Sequence, residues 1–255
     1  MDVKQGRWTL ESGWTWATKG PDATARLVLA FGGHAALLGP GPLDALSVKF
    51  PNAHVVACST EGEVEGTRVF EDAIVATAIR FEHTEVHVAE ARIIPGRSNH
   101  EAGVQLAQLM ARPDLSHLFV LSSAVELEPG TLSKCLTAAL PRHVALTGGS
   151  ARAVCFQGRP MANAIVAVGF FGHRLHIGYG ALDGHDPFGS ESRNGFGGGS
   201  PELAILTSSA SAPRAPTQRL EEEVRSVRAM LGPDVALTGF CGQAQRTTVT
   251  TLREE

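Results

Sequence analysis

Leu27–Gly62 reads LVLAFGGHAALLGPGPLDALSVKFPNAHVVACSTEG, and this stretch decides the fold class. It opens on an unbroken apolar run (Leu27–Phe31), turns at Gly32-Gly33 and passes through a helical pattern that ends at Phe50. A second apolar run starts at His54 and closes on small and polar residues, Cys58-Ser59-Thr60-Glu61-Gly62. Short, almost continuously apolar runs fit strands covered on both faces. A strand–helix–strand succession predicts a parallel pair whose crossover helix lies on the sheet. A third run, Ala73–Ile79 (AIVATAI), completes a β–α–β–β unit.

The same order recurs. Leu118–Leu121 (LFVL) precedes a helical GTLSKCLTAAL, then HVALTGGSA from His143 and AIVAVGF from Ala164. Leu203–Leu206 (LAIL) precedes TQRLEEEVRSVRAML, then DVALTGFCG from Asp234 and TVTTL from Thr248. In the last helix Leu220, Val224, Val227 and Leu231 form one apolar stripe, with Thr217 at its start and Gly232-Pro233 at its end. The second and third strands are 19 residues apart in the first unit (Val55 to Ile74) and 21 in the second (Val144 to Ile165). In the third unit they are only 14 apart (Val235 to Val249), a clipped loop. The expected fold is α/β, built of two clear β–α–β–β units and a shortened third, with mixed sheets covered by helices. A further helix is expected over His100–Arg112. Hairpins are expected to turn at Glu82-His83 and Gly172-His173.

This pattern divides the chain into an arm, 1–24, carrying Trp8, Trp14 and Trp16; a body, 25–182, with two units; a Gly/Ser-rich linker, 183–200; and a shortened portion, 201–255. Lys and Arg number 22 against 26 Asp and Glu, without a long run of one sign, so no nucleic-acid surface is expected. No stretch is long and apolar enough to span a bilayer, and MDVKQGRWTLESGW lacks a signal-peptide core; a cytoplasmic location is expected. Cys58, Cys135, Cys155 and Cys241 form no C-x-x-C pair, which argues against a zinc clamp and for free thiols.

The candidate chemistry lies where the second strands end. Cys58, Ser59, Thr60, Glu61 and Gly62 in the first unit, Gly148, Gly149 and Ser150 in the second, and Gly239 and Phe240 in the third make small-residue turns. Such turns at the carboxyl ends of parallel strands are where open α/β sheets bind ligands. Backbone N–H groups left bare by glycine can cradle a carboxylate or another anion, whereas the plainer use of these glycines is tight turning and close packing. The chain has no G-x-x-x-x-G-K-[ST], no G-x-G-x-x-G opening a helix and no G-x-S-x-G elbow. No H-E-x-x-H or similar metal pair occurs. Cys58 is a candidate nucleophile with His54 or His185 as base, although a cysteine on an apolar strand is more often inert packing.

Phe50–Val64 (FPNAHVVACSTEGEV) resembles the "GcStaGei" stretch of FIST domains, the F-box and intracellular signal transduction sensory domains. HVALTGGSA resembles that family's "GG-x-A" element, NAIVAVGFFGHRLHI its paired strands, and DGHDPFG its "P-x-G" turn. TGFCG and TTVTTL are similar to its closing block, with Gln243-Ala244-Gln245 where the family has "GEi". The resemblance implies a non-catalytic sensory module that binds a small molecule, amino-acid-like or anionic, and acts through a separate signalling protein, since no output portion follows. An oligomer is compatible with it. Some family members hold haem and sense nitric oxide; on that alternative His185 is the axial-ligand candidate. No cofactor is expected otherwise.

Overall fold

In a computed structural model that describes residues 1–17, 20, 22–93, 99–123, 131–181, 200–209, 216–242 and 247–255, the chain opens with β1 (Asp2–Thr9) and β2 (Gly13–Trp16). The first unit follows as β3 (Leu27–Gly33), α1 (His34–Leu38), α2 (Pro42–Lys49), β4 (His54–Thr60), a small hairpin of β5 (Glu63–Glu65) and β6 (Arg68–Phe70), and β7 (Ile74–Arg80). Then come β8 (Glu85–Arg92), α3 (Asn99–Met110), β9 (Leu115–Ser122), α4 (Thr131–Ala139) and β10 (Ala145–Ser150). A second small hairpin, β11 (Val154–Phe156) and β12 (Arg159–Met161), leads to β13 (Ala164–Phe171). The chain ends with β14 (Leu175–Ala181), β15 (Leu203–Ser209), α5 (Pro216–Leu231), β16 (Ala236–Gly242) and β17 (Thr248–Glu254).

One pairing scheme occurs three times. The first and second strands pair in parallel (β3 with β4, β9 with β10, β15 with β16). The third strand lies antiparallel on the other side of the first (β7, β13, β17). A fourth strand joins the third: β1 on β7, β8 on β13 and β14 on β17. The result is the expected α/β architecture, with three mixed sheets of seven, four and six strands among the described residues.

Alternation along the first strands explains why they read as unbroken apolar runs. Leu27, Leu29 and Phe31 point to a central core, while Val28 and Ala30 point to α1 and α2. Phe119 and Leu121 face the same central core, and Leu118 and Val120 face α3 and α4. Leu203 and Ile205 repeat the arrangement, with Ala204 and Leu206 under α5. Successive residues of a strand point to opposite faces, so a sheet covered twice must be apolar at every position. The three sheets therefore enclose one shared core, and each keeps its helices on its outer face. Phe31 and Phe240 stack across the centre at 4.7 Å between ring centroids.

The segments read as hairpins are crossovers instead. β7 already lies between β3 and β1, so β8 has no free edge there and pairs with β13. β13 is likewise enclosed by β9 and β8, and β14 crosses to β17. The small hairpins cross too: β11 adds to β4, and β5 adds to β16. The clipped third loop leaves β10 at the edge of its sheet among the described residues. The third sheet thus combines strands from before and after 183–200. The first two dozen residues are also more than a packed arm. They supply an edge pair to the first sheet, with Trp14 donating to the Pro42 carbonyl at 3.1 Å and Trp16 packing edge-on to Phe50. Thr217 donates its hydroxyl to the Glu71 carboxylate rather than capping its own helix. No helix among the described residues is long and apolar enough to cross a membrane.

The crossover from β7 to β8 is fastened by one carboxylate from the far end of the chain. Glu254 accepts from the N–H groups of Glu82 (2.6 Å) and His83 (2.9 Å) and from the Thr84 hydroxyl (2.6 Å). Burial raises its carboxyl, but these donors outweigh that and the net shift is downward. Its stabilisation is therefore present above the usual carboxylate range and is lost as pH falls through the depressed pKa. Glu254→Gln should cost about 1–3 kcal/mol at pH 7. Urea unfolding at pH 7 and pH 3 checks this: the gap between variant and wild type should close at the lower pH.

Candidate functional site

The central core ends where the second strands run out of large side chains, and there the three units touch. Thr60, at the end of β4, is the fastener. Its hydroxyl lies 2.7 Å from the Gly62 carbonyl and 2.9 Å from that of Cys241, donating to one at a time. It accepts from the N–H groups of Gly62 (3.0 Å) and Cys241 (3.1 Å). The Glu61 N–H donates to Cys241 O and the Cys241 N–H to Gly62 O, each at 3.1 Å. Ser59 holds the second unit in the same manner. Its N–H donates to Ala153 O, and its hydroxyl accepts from Ala153 N–H, both at 2.9 Å. Gly242 comes so close to the second unit that a Cβ there would lie 2.6 Å from the Ser150 carbonyl.

Beside this junction is a cavity of about 300 Å³, lined from all three units. Ser59, Thr60 and Glu61 come from the first turn, Ala151 and Arg152 from the second, and Cys241 and Gly242 from the third. Gly33 and His34 at the start of α1, with Glu63, Glu71 and Asp72, complete the wall. Of the residues singled out from sequence, Ser59, Thr60 and Glu61 reach the cavity. Cys58 and Gly62 are buried behind it. Gly148, Gly149, Gly239 and Phe240 do not line it, and neither does Ser150, whose hydroxyl lies 3.1 Å from that of Ser122. A Cβ on Gly148, at φ +130°, would fall 1.8 Å from the Val120 carbonyl, and one on Gly149 would meet Thr207 and Phe240. A Cβ on Gly239 would fall 2.3 Å from the Leu206 carbonyl, and Phe240 belongs to the central core. Their glycines serve close strand packing, the plainer of the two uses. His185 lies outside the described residues.

The wall is acidic. Glu61, Glu71 and Asp72 are exposed at the rim, and Glu63 is only 1% exposed. Neither Glu63 carboxyl oxygen makes a hydrogen bond of normal geometry. Burial pushes its pKa up to about 9; the Ala73 amide pulls it down only in part, while Asp72 and Glu71 add to the rise. At neutral pH this carboxyl is therefore protonated. Against these acids stands Arg152, exposed at the rim and without an ion pair among the described residues. Asp72 has a left-handed backbone (φ 57°), a conformation that aspartate tolerates better than most residues. Among the described residues no group of three His, Cys, Asp or Glu side chains converges as a metal ion would need.

Glu63 closes the Cys58-to-Glu63 turn and belongs to the "GcStaGei" stretch, yet it is not among the ligand-binding residues expected from sequence. Glu71, Asp72, His34 and Arg152 lay in connections that carried no pattern. A faint signal existed: Glu63 opens a three-residue strand in a region otherwise rich in small and apolar residues.

Two alternative chemistries fit poorly. Cys58 is fully buried, and burial, with Cys155 and Glu63 nearby, raises its thiol well above the ordinary value, away from the thiolate that attacks. His54 lies four residues away on the same strand, roughly 13 Å at about 3.3 Å per residue, too far to serve as its base. A haem needs apolar walls and an axial ligand. This cavity offers four carboxyl groups, and its one imidazole is His34 on the exposed rim.

The family model of the FIST N domain matches residues 26–193. A crystal structure of a cyanuric acid hydrolase from A. caulinodans is similar over 91% of each chain, at 9% sequence identity and a TM-score of 0.49. No curated protein sequence matches the chain.

A carboxyl with a raised pKa stabilises the fold below its unfolded value and weakens it as pH rises through the folded one. Stability should therefore fall from about pH 4.5 to about pH 9 on account of Glu63. Glu63→Gln should flatten that decline and leave the variant more stable than wild type at pH 8. Denaturant midpoints at pH 5 and pH 8 test this; parallel declines in the two proteins would show that Glu63 is ionised throughout.

Proposed function

Because the chain belongs to the FIST family, whose domains are sensory, we propose that it binds a small polar molecule in the junction cavity and signals through a separate protein. One observation carries the reading: the cavity takes its wall from the turns of all three units, so its occupant would bear on all three sheets at once. Ligand binding to the folded state alone stabilises it by mass action, and an occupant shared among units tightens their junction. A small number of placed polar groups fixes the orientation of a guest in such a pocket. Ser59 and Thr60 are committed to holding the units together, so they shape the cavity and leave direct contact to its other wall residues.

Arg152 is the group suited to an anionic or carboxylate end, in keeping with an amino-acid-like ligand. The acids on the opposite wall suit a positively charged end. The reading is of a binding protein, since the one nucleophile candidate, Cys58, is sealed in the core. Signalling would require a partner that senses a change in the rim, where α1 and the connections carrying Glu71 and Arg152 are exposed.

Native mass spectrometry of the purified protein, followed by a thermal-shift screen of metabolites, identifies the occupant. His34→Trp combined with Arg152→Ala changes two exposed wall residues. The free protein should melt within about 0.5 kcal/mol of wild type, while the ligand-induced shift should vanish. A full shift in the double variant would place the ligand elsewhere.

A further inference from the structure

Glu63 is the feature that the sensory reading leaves unexplained. A carboxyl placed out of water, with neither oxygen in a hydrogen bond of normal geometry among the described residues, costs stability. The neighbouring Val64 on β5 packs under α5, and Glu63, next to it on the strand, turns to the other side. The carboxyl lines the cavity, so a guest can reach what the protein leaves unpaired.

The charges around it decide what kind of guest. From the connection between β6 and β7, Glu71 and Asp72 face it, and from the turn after β4 comes Glu61. Cys58 of β4 and Cys241 of β16 are thiols raised by burial and carry no charge at neutral pH. On α5, Arg219 is paired with Glu223 at 2.7 Å and adds little net charge. His34 and Arg152 are exposed at the rim. An anion at Glu63 would meet three further carboxylates against one guanidinium, and a metal ion would lack three converging ligands among the described residues. An organic ammonium group has three donors and one positive charge, which match an acidic wall with free acceptors.

Resting on the reading of this cavity as a ligand site, we infer that the ligand carries an organic ammonium group that seats against Glu63, whose carboxyl releases its proton to solvent as the charge arrives. The step balances: a neutral carboxylic acid and an ammonium ion become a carboxylate–ammonium pair plus one hydronium proton taken up by buffer. The raised pKa of Glu63 agrees with this, because the carboxyl is protonated until a cation pairs with it. An alkylammonium keeps its charge to about pH 10.4, the lysine value, so of the two partners only the carboxyl changes charge below pH 9. The occupied cavity would then be a proton-coupled sensor, responding more strongly as pH rises.

Isothermal titration calorimetry with propylammonium, propionate and propionamide as probes tests the inference on the wild-type chain. Propylammonium should bind, and its enthalpy measured in phosphate and in MOPS, neither of which carries a primary ammonium group, should differ by the ionisation heat of close to one proton per ligand. Its affinity should rise about tenfold per pH unit between pH 6 and pH 8. Glu63→Gln should remove the buffer dependence and weaken binding by roughly tenfold or more. Should that variant fail to fold, the two-buffer measurement on wild type still decides. Binding of propylammonium without proton release would overturn the role of Glu63. Binding of propionate or propionamide in preference would overturn the ammonium class while leaving the cavity a ligand site. If no probe binds, the inference also fails, and the His34→Trp, Arg152→Ala shift assay then tells whether the cavity reading fails with it.

Discussion

The structure depends on one constraint: each of three first strands has to bury both of its faces. Leu27, Leu29 and Phe31 turn one way and Val28 and Ala30 the other, and the strands at 118–121 and 203–206 do the same. Helices can cover only the outer faces, so the inner faces must cover one another. A central core shared by three sheets is the solution, and the Phe31–Phe240 stack shows how closely the first and third sheets meet. Burial of apolar area at about 25 cal/mol per Å² makes this core the main favourable term.

The same constraint places the cavity. Large side chains fill the core along the strands, and at the strand ends they give way to serine, threonine and glycine. Polar groups gather there because backbone donors and acceptors released from the sheets need partners. The Thr60 hydroxyl accepts from two of these N–H groups and donates to one of two carbonyls, and the Ser59 hydroxyl accepts from Ala153 N–H. The junction is thus closed by hydrogen bonds between units, and the space beside it stays open and acidic. Glu63 sits where these two features meet, buried by the junction and facing the opening.

How the units are joined bears on how a guest could be felt. The small hairpins add to the sheets of other units, and the crossovers at Glu82 and Gly172 carry β8 and β14 onward to the second and third sheets. Glu254 ties the last strand to the first crossover. No unit can shift without disturbing its neighbours, so a ligand touching all three turns acts on interfaces that are already shared. The family's sensory character is consistent with such an arrangement.

The sequence by itself determined the units: their strands, their helices over 42–49, 131–139 and 216–231, and the parallel pairing of first and second strands. Those features follow from local periodicity, which a stretch of a dozen residues carries in full. It also marked the second-strand ends as the place to look, and Ser59, Thr60 and Glu61 do line the cavity. Tertiary structure alone decided which sheet each later strand joins, because an edge is free or taken according to residues far along the chain. It decided that Gly148, Gly149 and Gly239 come close to Val120, Phe240 and Leu206 and do not line the cavity. It also made Glu63 a buried acid among other acids, since burial and the nearness of Asp72 arise only when separate segments are brought together.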